Sequence, residues 1–304
     1  MLFRFVAALG IGGEWAVGAS LLAETWPRSW RPWIAAVLQT GVNVGILFAA
    51  AVVHGLASLP FHIPERYVFL IGVLPALMVF WIRRRVPEPE TWTQAEHATV
   101  KPRVSDLFRG ALASITARTT AVCALSLSAW WLFVFWHSQH LRQLLGAEGL
   151  PRDLVTQKIT AAFFCMIAVS IAGNFIAGAL AQRLGNRLAI TLMLAALCAS
   201  MVGAYGVPRD FASLAWFWIP LVGLFSGVFG LFTMYLPPLF PTLLRTTGAG
   251  FTYNIGRIAA AVASIVFGWL APVNDFRLAL LAASALAGLS ALLALFLPAK
   301  GAEE

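Results

Sequence analysis

RFVAALGIGGEWAVGASLLAETWPRSWR, residues 4–31, opens as an apolar helix and closes as a charged turn. Between Arg4 and Glu24 it carries a single charged side chain, Glu14. The apolar run over 2–23 is too long for a signal-peptide core and meets the turn without a small-residue cleavage site. It has the roughly 20 residues that cross a bilayer as a helix. The same pattern recurs along the chain. Stretches 2–23, 33–57, 66–82, 119–138, 158–181, 187–206, 213–236, 247–271 and 277–297 each predict a spanning helix. The expected fold is an all-α integral membrane bundle of nine transmembrane helices.

The composition agrees. Of 304 residues, 60% are hydrophobic and 11% charged, with mean hydropathy +0.81. A soluble domain carries about 25% charged residues. With so few, only lipid can be the solvent for most of the surface. The net charge of +8 sits in short loops without a basic stripe, which excludes a nucleic-acid binder. Cys123, Cys165 and Cys198 lie inside apolar runs without paired spacing, so neither a disulfide framework nor a metal site is expected. There is no nucleophile with a base partner and no cofactor loop. An enzyme is not expected, nor a cofactor.

Two connections are long: 83–118, with RRRVPEPETW, a polar run and an amphipathic SDLFRGALASI, and the polar loop 139–157. The first divides the chain into a three-helix part (1–83), a central loop (84–118) and a six-helix part (119–304). Of the 21 Lys and Arg, thirteen fall in one alternating set of loops, seven in the other, and Arg257 lies inside a span. The richer set is expected to be cytoplasmic. That puts the central loop and the C-terminus inside and Met1 outside.

Glu24-Thr-Trp-Pro27-Arg-Ser-Trp-Arg31 follows the first helix, and Pro238-Leu-Phe-Pro241-Thr-Leu-Leu-Arg245 follows the seventh. Both hold P-x-x-x-R at the end of a Gly-rich helix. Corresponding turns in two parts of a hydrophobic chain mark transporters built from repeats, with the substrate between the repeats near the midplane.

On these residues the chain resembles the major facilitator superfamily, in its metabolite–proton symporter branch. Residues 4–31 resemble its helix four and the following turn. Gly178-Ala-Leu-Ala-Gln182-Arg183-Leu-Gly185-Asn-Arg187 is similar to its G-x-x-x-D-R-x-G-R loop motif between helices eight and nine, and VPEPETW to the stretch after helix six. LPPLFPTLLRTTGAGFTYNIGR resembles the end of helix ten and helix eleven. The resemblance implies a major facilitator-like bundle whose nine helices correspond to helices 4–12 of a twelve-helix fold. The first three are expected to be missing, as in a fragment. It also implies a carrier for sialate, aromatic acids or similar carboxylates in a bacterial inner membrane, expected to work as a monomer. Gly178, Gln182, Arg183, Gly185, Arg187, Glu24, Arg31 and Arg245 are the expected conformational-switch residues. Gln182 stands where the family usually has Asp, and Pro238 where it usually has Glu.

Of the 13 acids, Glu14 alone lies well inside a span, about 18 Å along its helix. A charge there costs several kcal/mol, so this carboxyl is the candidate proton-coupling group. Arg257 is its counterpart, able to grip a carboxylate through two hydrogen bonds. The two could also pair with each other, opening when Glu14 takes a proton. Arg4, at the start of the first helix, is a second proton-coupling candidate or an interfacial side chain. Tyr253, Asn254, Asn43 and Gln39 are expected to line the substrate cavity or to bond helix to helix. Asn43 is the repeat partner of Arg257 by spacing. Trp130 and Trp131 could stack on a ring-bearing substrate. The expected partners are a small organic anion, protons and the lipid bilayer. A sugar or polyol porter, or a truncated chain that does not transport, are the alternatives.

Overall fold

Long runs rich in Ala, Leu, Val and Phe leave the backbone one way to satisfy its hydrogen bonds in lipid, which is to coil into helices. The computed structural model describes residues 2–27, 29–57, 70, 72–85, 102–270 and 276–299. Among them there is no strand. Among the described residues nine helices follow in order: α1 (Leu2–Thr25), α2 (Arg31–Ala57), α3 (Val73–Arg85), α4 (Gly110–Ala147), α5 (Arg152–Leu184), α6 (Asn186–Tyr205), α7 (Phe211–Tyr235), α8 (Arg245–Leu270) and α9 (Phe276–Ala294). All but α3, whose span begins outside the described residues, are long and apolar enough to cross a membrane.

Two boundaries differ from expectation. The polar loop 139–157 is mostly helix, with α4 running to Ala147 and α5 starting at Arg152. Hydropathy marks only the lipid-buried middle of these helices. Their polar ends stay helical because Leu141, Leu145, Val155 and Ile159 are buried there. The chain turns only where Gly149 takes φ +72° and Pro151 precedes the next helix. Likewise Gly110–Arg118, expected in the central loop, is the first part of α4. A short 3₁₀ turn, Val104–Phe108, precedes it and is tied on by Thr116 Oγ1 donating to the Leu107 carbonyl at 2.9 Å. Residues 86–101 of that loop lie outside the described residues.

α4 is the centre of the bundle, packed between α8 and α9; α9 also covers α6, and α5 lies along α7. Pro220 in α7 cannot donate to the helix ladder, and a π turn over Leu214–Trp218 absorbs the misfit. Gly173 of α5 and Gly227 of α7 let the two backbones touch. A methyl on Gly173 would overlap the Leu224 carbonyl, and one on Gly227 the Gly173 carbonyl. α1 and α2 pack chiefly on this bundle rather than on each other, α1 along α8 and α2 along α5.

Candidate transport site

The α2/α5 seam is polar but uncharged. Trp33 Nε1 donates to Gln182 Oε1 at 3.0 Å, Asn174 Nδ2 donates to Thr40 Oγ1 at 3.2 Å, and Asn43 Nδ2 donates to Ser170 Oγ. The pairs step antiparallel along the two helices. Gly178 lets them approach, since a methyl there would press on the Pro32 carbonyl. Asn43 is therefore a buried helix-to-helix bond and not a cavity residue. Gln39, at 3.0 Å from where a methyl on Gly230 would stand, faces α7.

The α1/α8 seam is also antiparallel. Its end is an ion pair: Arg245 Nη1 donates to Glu24 Oε1 at 2.9 Å, the two side chains only 16% and 5% exposed. Glu24 and Arg31 in the first copy correspond by spacing to Pro238 and Arg245 in the second. Glu24 crosses to Arg245, and the Arg31 Nε donates to the Trp26 carbonyl at 3.3 Å. Deeper in the seam Ala16 meets Gly250, Trp15 stacks on Tyr253 with ring centres 3.9 Å apart, and Asn254 Nδ2 donates to the Gly12 carbonyl at 3.2 Å.

Both seams close at the end where the α1–α2, α5–α6 and α7–α8 turns gather. Gly185 makes the α5–α6 turn with φ +80°, its N–H donating to the Ala181 carbonyl at 3.0 Å. Of the switch-loop residues, Gly178 and Gln182 touch α2, while Arg183 and Arg187 are exposed beside the turn.

Arg257 stands beyond the α1/α8 contact. It borders a cavity of about 430 Å³ lined by Trp131 and Phe135 of α4 and by Ala260, Ala261, Ser264 and Ile265 of α8. Its guanidinium lies over the Tyr253 ring, 5.1 Å from the centre, and Nη1 donates to Asn254 Oδ1 at 3.4 Å. A second cavity of about 390 Å³ lies toward the start of α4, with Thr116, Thr120, Phe108 and Phe251 among its walls. Ala113, Ala117, Thr120, Ala124, Trp131 and Phe135 recur every three, four or seven residues, so the two cavities share one face of α4.

Several expectations need correction. Glu14 and Arg257 do not pair. Gly12, Ala16, Ala19, Ser20 and Ala23 turn α1 toward its neighbours, and Glu14 points from the opposite face, exposed and without a hydrogen bond or ion pair to any described residue. Trp130 is a packing residue, with Phe133 and Phe229 at 5.8 and 5.7 Å, whereas Trp131 reaches the cavity. The Arg4 side chain lies outside the described residues. Trp15, Phe135 and Ser264 were missed. Trp15 had a usable signal, an aromatic side chain three residues from Gly12 on a Gly-rich helix.

Helical spans, two antiparallel seams closing at one end and a cation facing a cavity deeper in define an α-helical membrane protein of the transporter class. The model of the Major Facilitator Superfamily matches residues 1–256, and the chain belongs to that family. It is 30% identical to a protein named as a probable 4-methylmuconolactone transporter from Cupriavidus pinatubonensis, over 86% of this chain and 60% of that one. It is 26% identical to a sialic acid transporter of Escherichia coli, over 86% and 62%. A cis,cis-muconate transport protein of Acinetobacter baylyi is 27% identical, over 89% and 65%. The chain thus spans about three-fifths to two-thirds of the length of these relatives.

Proposed function

We propose that this chain forms the larger part of a secondary carrier that takes up a small organic anion, a carboxylate, together with protons by alternating access. The observation that carries the reading is Arg257 at the edge of a cavity otherwise walled by Trp131, Phe135, aliphatic residues and Ser264. A fixed cation in an apolar wall selects an anion, because a buried carboxylate without a partner is costly. The walls also favour a ring-bearing or unsaturated acid over a sugar. Ser264 supplies the one wall hydroxyl and already donates to the Ala260 carbonyl at 2.8 Å, so a polyol would leave several hydroxyls unpaired. Two of the relatives are named for unsaturated or ring-bearing acids of this kind, muconate and methylmuconolactone.

Glu24–Arg245 and Trp33–Gln182 hold the shared end of the two seams shut, and alternating access requires that both part. This end carries the larger share of Arg and Lys and is read as cytoplasmic, with the C-terminus on the same side of a bacterial inner membrane. The three-helix part, residues 1–83, and the six-helix part, which begins with α4 at Gly110, are the units that rock, joined by the connection between α3 and α4, in a carrier that works as a monomer. Glu14, the acid at bilayer depth, is the proton-coupling group, and it acts through the position of α1 because it does not touch Arg257.

Uptake of radiolabelled benzoate into proteoliposomes tests this. Uptake is expected to rise with an inward proton gradient, to fall with competing carboxylates and not with sorbitol, and to vanish in Arg257→Gln. Uptake that sorbitol suppresses and Arg257→Gln retains would replace the anion carrier with a polyol porter.

A further inference from the structure

Arg257 touches two residues of its own helix, Tyr253 and Asn254, and each is held from the other side of the seam. The Asn254 amide is used at both ends, its nitrogen donating to the Gly12 carbonyl of α1 at 3.2 Å and its oxygen accepting from Arg257 at 3.4 Å. The Tyr253 ring is shared in the same way, stacked with Trp15 of α1 at 3.9 Å and 13° and lying under the Arg257 guanidinium at 5.1 Å. Among the described residues, no α1 side chain makes a hydrogen bond, ion pair or ring contact with Arg257 itself.

We infer that Trp15 and Asn254 are positioning residues that make the grip of Arg257 on its anion depend on α1 lying against α8. This rests on the reading of Arg257 as the anion-binding group. An arginine side chain has four soft torsions, and ordering it is a cost that binding must meet unless the protein has met it already. Here the ordering comes through contacts with α1. The contact is tight: a methyl on Gly12 would come within 3.1 Å of Asn254 Oδ1, and one on Gly250 within 3.0 Å of the Ala16 Cβ. There is no slack to follow a moving α1. When α1 separates from α8, Asn254 loses its carbonyl and Tyr253 its stacking partner, and both restraints on Arg257 loosen together. The carrier thereby holds the anion firmly in the state with the seam closed and weakly in the state with it open, which is the difference in affinity that a carrier needs to load and release. The signal passes through one aromatic ring and one amide.

The test is equilibrium binding of radiolabelled benzoate to the purified 304-residue chain in nanodiscs, for the native protein, Trp15→Ala, Trp15→Phe, Asn254→Ala, Arg257→Gln and the double variant Trp15→Ala/Arg257→Gln. Freeing one long side chain is expected to weaken binding roughly two- to tenfold in Trp15→Ala and in Asn254→Ala. Trp15→Phe, which keeps a stacking ring, should restore most of the affinity. The double variant should bind no more weakly than Arg257→Gln alone, because Trp15 acts only through Arg257. A loss in Trp15→Ala that Phe does not rescue, or that adds in full to the loss in Arg257→Gln, would reduce Trp15 to ordinary packing. Native affinity in Trp15→Ala and Asn254→Ala, with binding weakened in Arg257→Gln, overturns this inference and leaves the anion-carrier reading standing. Undiminished binding in Arg257→Gln overturns both.

Discussion

The Glu24 carboxylate of α1 receives a hydrogen bond from the Arg245 guanidinium of α8 at 2.9 Å, and both side chains are largely shielded from solvent. The pair joins corresponding turns of the internal repeat. It is a cross-link between the two repeat copies, made from the carboxylate of the first turn and the base of the second, where Pro238 occupies the position that corresponds to Glu24.

Breaking a shielded ion pair by removing one member costs up to about 3–5 kcal/mol. Glu24→Gln and Arg245→Met are therefore expected to open the turn-rich end and lower thermal stability in detergent. The exchange Glu24→Arg/Arg245→Glu should recover much of the loss. Equal melting temperatures for the single and exchanged variants would show that the pair does not hold this end.

The α2/α5 seam is neutral and should be weaker. Gln182→Ala removes the Trp33 bond at about 0.5–1.5 kcal/mol. Gln182→Asp replaces it with a charge-assisted bond, which is roughly twice as strong. Opening measured by alkylation of a cysteine placed at Ala36 should quicken in the first variant and slow in the second.

Trp130 and Trp131 are neighbours with different work. Trp130→Ala empties a packed position between Phe133 and Phe229, so about 3–5 kcal/mol of stability is at stake. Trp131→Ala removes a cavity wall that is already 41% exposed. Its main effect should be weaker competition by benzoate than by acetate, with little change in melting temperature.

Gly173 and Gly227 are required by backbone contact between α5 and α7. A methyl at either forces the helices apart, and the expected loss is about 1–3 kcal/mol or failure to fold. Ala at Gly10, which has open space around it, is the control and should be neutral. Size-exclusion profiles of the three variants check this.

Glu14→Gln removes the proposed proton site without disturbing the α1/α8 seam, because the side chain leaves α1 on the other face. Uptake is expected to lose its response to an imposed proton gradient while benzoate binding persists. A full response in Glu14→Gln would pass the coupling role to another group.

The sequence settled what depends on the solvent and on local pattern. Apolar runs near 20 residues long, with so few charges to spread over a surface, leave helices in lipid as the sole economical state, and the repeated P-x-x-x-R turns and Gln182 loop carried the family. It could mark Glu14 and Arg257 as costly groups at depth, because that cost depends on position along a helix. Which way each group points is another matter. It is set by which face of α1 its small residues Gly12, Ala16, Ala19 and Ala23 bury, and by partners more than 200 residues away in the chain. Only the tertiary structure could therefore separate Glu14 from Arg257, send Asn43 into the α2/α5 seam, divide Trp130 from Trp131, and bring Trp15 into the column that holds the arginine. Hydrophobicity selects the class of fold through bulk transfer free energy, whereas the site is built from a few directional contacts that no single helix contains.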